Sequence, residues 1–122
     1  MKILLADDNP EVRSALRLLL EQEPIQAMVM EVADTQSLLA HLNENCPMVV
    51  LLDWELPKLH NSDFLAKVRS RCTETRVIAL SSKFEARQAA RAAGVDAFVS
   101  KAEPPEQILS TLCSFLPQQS NE

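Results

Sequence analysis

Asp7, Asp8, Asp53, Ser81 and Lys101 stand at or just past the ends of short apolar runs. Ile3-Leu4-Leu5-Ala6 leads into Asp7-Asp8, Val49-Val50-Leu51-Leu52 into Asp53, and Val77-Ile78-Ala79-Leu80 into Ser81. Ala97-Phe98-Val99 leads into Lys101 with one residue between. If these runs lie side by side, one edge gathers three carboxylates, a hydroxyl and an ammonium. Two carboxylates about 4 Å apart repel by roughly 4 kcal/mol at the effective dielectric of a protein surface. A fold that gathers three needs a cation. Oxygen ligands without His or Cys nearby favour a hard ion, Mg²⁺, held by Asp8 and Asp53 with Asp7 as ligand or close neighbour. A carboxylate beside such an ion is a ligand or a nucleophile toward phosphorus. A transferred phosphoryl group needs charge neutralised on its equatorial oxygens, and Lys101 and Ser81 could supply a charge and a hydrogen bond. Taken singly, Asp7-Asp8 reads as a polar turn, Ser81 as a helix cap and Lys101 as a solvated charge. Their joint placement at four run ends outweighs those readings.

The runs that must position these groups are uncharged and rich in Val, Ile and Leu, as parallel strands buried on both faces are. Strands are expected over residues 2–6, 28–33, 48–53, 76–80 and 96–99. Helix patterns fall between them. Asn9-Pro10 reads as an N-cap followed by Pro at the first helical position, before Val12, Ala15, Leu16, Leu19 and Leu20, with Pro24 as the stop. Asp34 or Thr35 caps a second helix carrying Leu38, Leu39 and Leu42, and Asn61 or Ser62 a third carrying Phe64, Leu65 and Val68. Ser82 and Glu85 have capping-box spacing for a fourth, whose inner face is Ala86, Ala89, Ala90 and Ala93. Gly94, the only glycine, suits a left-handed C′ position. Pro104-Pro105 opens a fifth helix with Ile108, Leu109, Leu112 and Leu116, closed by Pro117. Strict strand–helix alternation implies an α/β fold, a parallel sheet covered on both faces, with its site outside the carboxyl ends of the strands.

Composition narrows the function. A length of 122 residues fits one domain, 1–117, followed by a polar tail or linker start at 118–122. Hydrophobic content of 47% supports a packed core. A net charge of −5, with 12 basic and 17 acidic residues and no basic run, argues against direct nucleic-acid binding by this segment. No stretch is long enough for a membrane span, and the first residues are too short for a signal peptide. Cys46, Cys72 and Cys113 fit neither a disulfide framework nor a zinc pattern and read as reduced thiols, pointing to the cytoplasm. His41 and His60 form no cluster and carry no expected role. Trp54, the sole tryptophan, adjoins Asp53 and could report metal binding by fluorescence, or simply pack against a neighbouring loop.

The segments LLADDNP at 4–10, VVLLDWELP at 49–57, VIALSS at 77–82 and AGVDAFVSK at 93–101, in this order, resemble the response regulator receiver domain of two-component signalling. The resemblance covers essentially the whole chain. It implies a flavodoxin-like (βα)5 three-layer sandwich with a five-stranded sheet of order 2-1-3-4-5. It implies Asp53 as phosphoacceptor; Asp7, Asp8, Asp53 and the backbone carbonyl of Glu55 as Mg²⁺ ligands; Lys101 as the phosphate-contacting lysine; and Ser81 and Phe98 as switch residues. Glu55 and Lys83 occupy the family's rate-tuning positions, and an ion pair between them would obstruct the hydrolytic water. The implied partner is a histidine kinase or phosphotransfer protein. A homodimer on phosphorylation is left open, and the role is a signalling switch rather than a turnover enzyme. The chain departs from the family at Asn61, where a left-handed glycine is usual, and at Ala102, where proline is common. A cis bond before Ala102 would cost roughly 2.5–4 kcal/mol. The segment SKAEPPEQIL resembles receivers attached to helix-turn-helix DNA-binding domains, which points to transcription regulation; whether this chain stands alone or is part of such a regulator stays open. Two further classes fit part of the pattern: a receiver-fold interaction module that is not phosphorylated, and an aspartyl phosphatase, for which the chain is too short to supply a cap.

Overall fold

A computed structural model describes residues 1–22, 25–61 and 63–115. The elements alternate as β1 (Lys2–Ala6), α1 (Pro10–Glu21), β2 (Met28–Val32), α2 (Thr35–Glu44), β3 (Val49–Asp53), a 3₁₀ turn (Leu59–Asn61), α3 (Phe64–Arg71), β4 (Arg76–Ser81), α4 (Ala86–Ala93), β5 (Ala97–Ser100) and α5 (Glu106–Phe115). The five strands form one parallel sheet in the order β2-β1-β3-β4-β5. This is the flavodoxin-like arrangement expected from the alternation and the resemblance. The expected Pro24 stop and the 116–122 end of the chain, with Leu116 and Pro117, lie outside the described residues. Among the described residues, no helix is long and apolar enough to cross a membrane.

Side chains of a strand alternate between the sheet's two faces, and the core divides accordingly. Leu4, Val50, Leu52, Val77 and Ala79 meet Leu38 and Leu42 of α2, Phe64 and Val68 of α3 and Ala90 of α4. Ile3, Leu5, Val49, Leu51, Ile78 and Leu80 meet Leu20 of α1 and Ile108 and Leu112 of α5. β3 is buried at all five residues because it is central and covered on both sides. β2 is an edge strand, and its Met28 and Met30 face solvent.

Helix ends follow local chemistry. Asn9 Oδ1 accepts from the backbone N–H groups of Glu11 and Val12, and Asp34 from Ser37. Gly94 ends α4 at φ 106°, where a residue with a Cβ would be strained.

Three local expectations are corrected. α4 begins at Ala86, four residues after Ser82, because a turn closed by Ala86 N–H to Lys83 C=O and Arg87 N–H to Phe84 C=O intervenes. Its Ala89 and Ala93 are exposed, so only Ala90, with Ala86 beside it, faces the core. α3 is preceded by Asp63 at φ 53° rather than capped by Asn61; the alternative cap, Ser62, lies outside the described residues. Among the described residues, the left-handed positions of this loop are Lys58 and Asp63, while Asn61 sits in the 3₁₀ turn. The thiols form the fourth correction: Cys46 and Cys72 are joined in a disulfide and only Cys113 is free. The pairing ties the loop before β3 to the C-cap of α3, and wide sequence spacing had hidden it. Two of the three cysteines are therefore not reduced thiols, and they do not point to a reducing compartment.

Candidate functional site

Parallel register decides which side chains share the sheet's carboxyl edge. Ala6 pairs with Leu52, so Asp7 and Asp53 emerge together at the ends of neighbouring strands. Asp53 pairs with Leu80, which puts Ser81 one step beyond it. Ser81 pairs with Ser100, and the Lys101 N–H donates to the Ser81 carbonyl at 2.8 Å, which delivers Lys101 to the same edge. Carboxylate oxygens of Asp7, Asp8 and Asp53 lie within 4.8 Å of one another. Asp7 and Asp53 are 2% and 5% exposed, whereas Asp8 is open to solvent.

The Lys101 ammonium bridges the buried pair, 2.8 Å from Asp7 Oδ2 and 3.5 Å from Asp53 Oδ1. Burial pushes the Asp53 carboxyl up from its ordinary range, and the Glu55 N–H at 3.0 Å and the Lys101 charge offset this only in part. For Lys101 burial works against the charged form. The hydrogen bond to Asp7 and the charge of Asp53 outweigh it, and the net shift is upward. One ammonium set among three clustered carboxylates leaves two negative charges uncompensated. The donors are all oxygen, so the residues fit a hard divalent cation such as Mg²⁺.

The hydroxyl of Ser81, fully buried, donates to Glu55 Oε2 at 2.6 Å and accepts from the Lys83 N–H at 2.9 Å. The expected Glu55–Lys83 ion pair does not form among the described residues: the Glu55 carboxylate turns to Ser81, and Lys83 enters through its backbone alone. Phe98 stands apart from the carboxylates, opposite Ala79 of β4 and half-buried against the α2–α4 side of the core.

Several supporting residues were not legible beforehand. The Arg13 guanidinium donates to the Asp7 carbonyl at 2.6 Å and to Glu31 at 2.9 Å, fixing the backbone that carries the acidic pair. Thr35 Oγ1 donates to the Pro57 carbonyl at 2.7 Å, pinning the loop after Asp53. His60, given no role from sequence, has Nε2 2.9 Å from the Trp54 carbonyl and its ring edge-on to Trp54 at 4.7 Å. Trp54 is thereby buried against its own loop. The only signal for Arg13 was its position one helical turn past Asn9, which means nothing without the β1–β2 pairing that brings Glu31 near.

The acidic cluster and the half-buried Lys101 lie at the carboxyl edge of a 2-1-3-4-5 sheet, where folds of this class place their ligands. The family model of the response regulator receiver domain matches residues 3–113, and the chain belongs to that family. A curated relative, the Fimbriae Z protein of Salmonella typhimurium, is 31% identical over 116 residues, covering 93% of this chain and 55% of that protein. A putative transcriptional regulator of Pseudomonas aeruginosa is 32% identical over 110 residues, covering 88% and 53%. The chain thus spans about half the length of the curated relatives it matches. Among solved structures, the response regulator TrrA of Thermotoga maritima, in complex with Mg²⁺-BeF, superposes with a TM-score of 0.82 at 20% identity, covering 94% of this chain and 98% of that one.

Proposed function

We propose that the chain accepts a phosphoryl group on Asp53 from a phosphohistidine of a histidine kinase or phosphotransfer protein. The observation that carries this reading is the convergence on Asp53 of a half-buried ammonium at 3.5 Å and two further carboxylates within 4.8 Å. An Asp53 carboxylate oxygen attacks phosphorus in line. As that bond forms, the phosphorus–nitrogen bond of the donor breaks and its electron pair returns to the imidazole. Asp7, Asp8, Asp53 and the Glu55 carbonyl would hold Mg²⁺, which when bound neutralises charge on the phosphoryl oxygens. Lys101 is already poised by its two carboxylate contacts to swing one hydrogen bond onto the arriving phosphoryl group. Ser81 then donates its hydroxyl to that group, and β4, Phe98 and α4 follow. A covalent charge so biases an element with two arrangements and remodels the surface around α4, β5 and α5.

The partners of this reading are a cytoplasmic kinase or phosphotransfer donor and, downstream, the output half of a transcriptional regulator, as its relatives' names suggest. A homodimer formed on phosphorylation is one form the output could take. No nucleic-acid or membrane contact by this segment is part of the proposal. The domain works as a switch whose only chemistry is its own phosphorylation and dephosphorylation. Incubation with acetyl phosphate and Mg²⁺, followed by intact-mass analysis, tests it. A single added phosphoryl group is expected on the wild type and none on Asp53→Asn. Labelling of Asp53→Asn at the wild-type rate would remove Asp53 as acceptor. Steady turnover of an external phosphate ester would point to a phosphatase instead.

A further inference from the structure

We propose that Glu55 is a positioning residue that latches the Ser81 hydroxyl in the resting state and so sets how readily the domain takes its phosphate-bound form; this rests on Asp53 being the phosphoacceptor. A serine hydroxyl has one hydrogen to donate. Here that hydrogen goes to Glu55 Oε2 at 2.6 Å, the short distance of a charge-assisted O–H···O⁻ bond. The Lys83 N–H, at 2.9 Å, holds the same oxygen from the other side and fixes the rotamer. The hydroxyl is fully buried, so in the resting form its hydrogen goes to Glu55 rather than to bulk water. A phosphoryl group on Asp53 asks for the same hydrogen. It gains the Ser81 bond only after the Glu55 bond has broken.

The latch is tied down at its other end. The Glu55 N–H donates to Asp53 Oδ1 at 3.0 Å, so one residue holds both the acceptor carboxylate and the switch hydroxyl. Lys101 N–H to the Ser81 carbonyl links the same point of β4 to the end of β5. Release of the Ser81 side chain changes its rotamer and frees the N–H of Lys83, the first residue of the turn closed by Ala86 N–H to Lys83 C=O. That turn leads directly into α4, which begins at Ala86.

The test is a titration of the full chain with beryllofluoride and Mg²⁺, read by Trp54 fluorescence and by the Lys83 amide resonance, whose N–H reports the Ser81 oxygen. Removing a hydrogen bond to a charged group that exists only in the resting form is expected to tighten beryllofluoride binding about tenfold in Glu55→Ala. Glu55→Ala also removes a negative charge near an anionic ligand, so the cycle with Ser81→Ala carries the decision. With Ser81 already absent, the Glu55→Ala effect is expected to shrink to less than about threefold. An equal shift in both backgrounds, or none in either, overturns the latch while leaving the phosphoacceptor reading intact. Failure of the wild type to bind beryllofluoride by both readouts overturns the phosphoacceptor reading, and the latch with it.

Discussion

At the scale of single residues, a buried carboxylate opposes folding at neutral pH. Asp53 is 5% exposed, and burial raises its pKa above the ordinary carboxylate range. A carboxyl whose folded pKa lies above its unfolded value stabilises the fold while it is protonated. That contribution is complete in acid, below the unfolded pKa, and is lost as pH rises through the folded pKa. Asp53→Asn keeps an acceptor for the Glu55 N–H and removes the charge. In metal-free buffer at pH 7 the variant is expected to be more stable than the wild type, with a higher Tm. The gain should vanish near pH 3, where the wild-type carboxyl is also neutral. Thermal melts of both proteins at the two pH values check this, and an unchanged gap would mean that the electrostatic cost lies elsewhere. The clustering of Asp7, Asp53 and Lys101 was legible at this scale because it follows from residue type at strand ends. The partner of Glu55 was not legible. Lys83 and Ser81 lie two residues apart on one segment, and charge alone favoured Lys83. The hydroxyl won because it is buried beside the carboxylate and can offer a short bond, whereas an exposed ion pair contributes little.

At the scale of elements, burial separates the helices into anchored and loosely held ones. α5 buries Ile108 and Leu112, each worth about 1.5–3 kcal/mol when removed from water. α4 buries only Ala90. Of the two helices flanking β5, α4 is therefore the one that local fluctuation or a shift in β4 displaces most easily. Its C-terminus is held by backbone geometry: Gly94 at φ 106° lets its own N–H reach the Arg91 carbonyl and the Val95 N–H reach the Ala90 carbonyl. Space around Gly94 is open, so a Cβ there meets no atom and the penalty of substitution is conformational alone. Gly94→Ala is expected to lower stability by about 1 kcal/mol, and Gly94→Asn by less, since Asn tolerates the left-handed region. Urea melts of the three proteins check the order; a neutral Gly94→Ala would show that α4 can end without this turn. The glycine was legible because its conformational freedom is unique to its type. The start of α4 was not, because capping-box spacing is a local signal and the chain leaving Ser81 is first drawn into the Lys83–Ala86 turn. Strand ends shifted by only a residue because apolar runs stop where the sheet meets polar groups.

At the scale of the whole molecule, the acidic site and the disulfide occupy opposite ends of the sheet. The site lies at the strands' carboxyl edge. Cys46 precedes β3 and Cys72 closes α3 just before β4, at the amino edge. The same edge is fastened by Thr75, whose hydroxyl donates to the Pro47 carbonyl at 2.5 Å. A cross-link spanning 26 residues of sequence restricts the unfolded chain, an effect of about 3 kcal/mol for a loop of this size. For a domain of this length that corresponds to roughly 10 °C in Tm. Because the link is remote from Asp53, it should act on stability and leave the chemistry alone. Reduction with a dithiol is expected to lower Tm by about that amount, while phosphorylation by acetyl phosphate at about 20 °C below the reduced Tm (two such steps of margin) proceeds at the rate of the oxidised protein. Cys46→Ser, whose position is exposed, should reproduce the reduced protein and become insensitive to reductant. Melts of wild type and Cys46→Ser with and without dithiol, paired with labelling rates, decide the matter. Equal Tm values for all four samples would mean that Thr75 and the β3–β4 pairing hold this edge without the covalent link. A fall in labelling rate on reduction would mean that the two ends of β3 are mechanically coupled through its five buried residues.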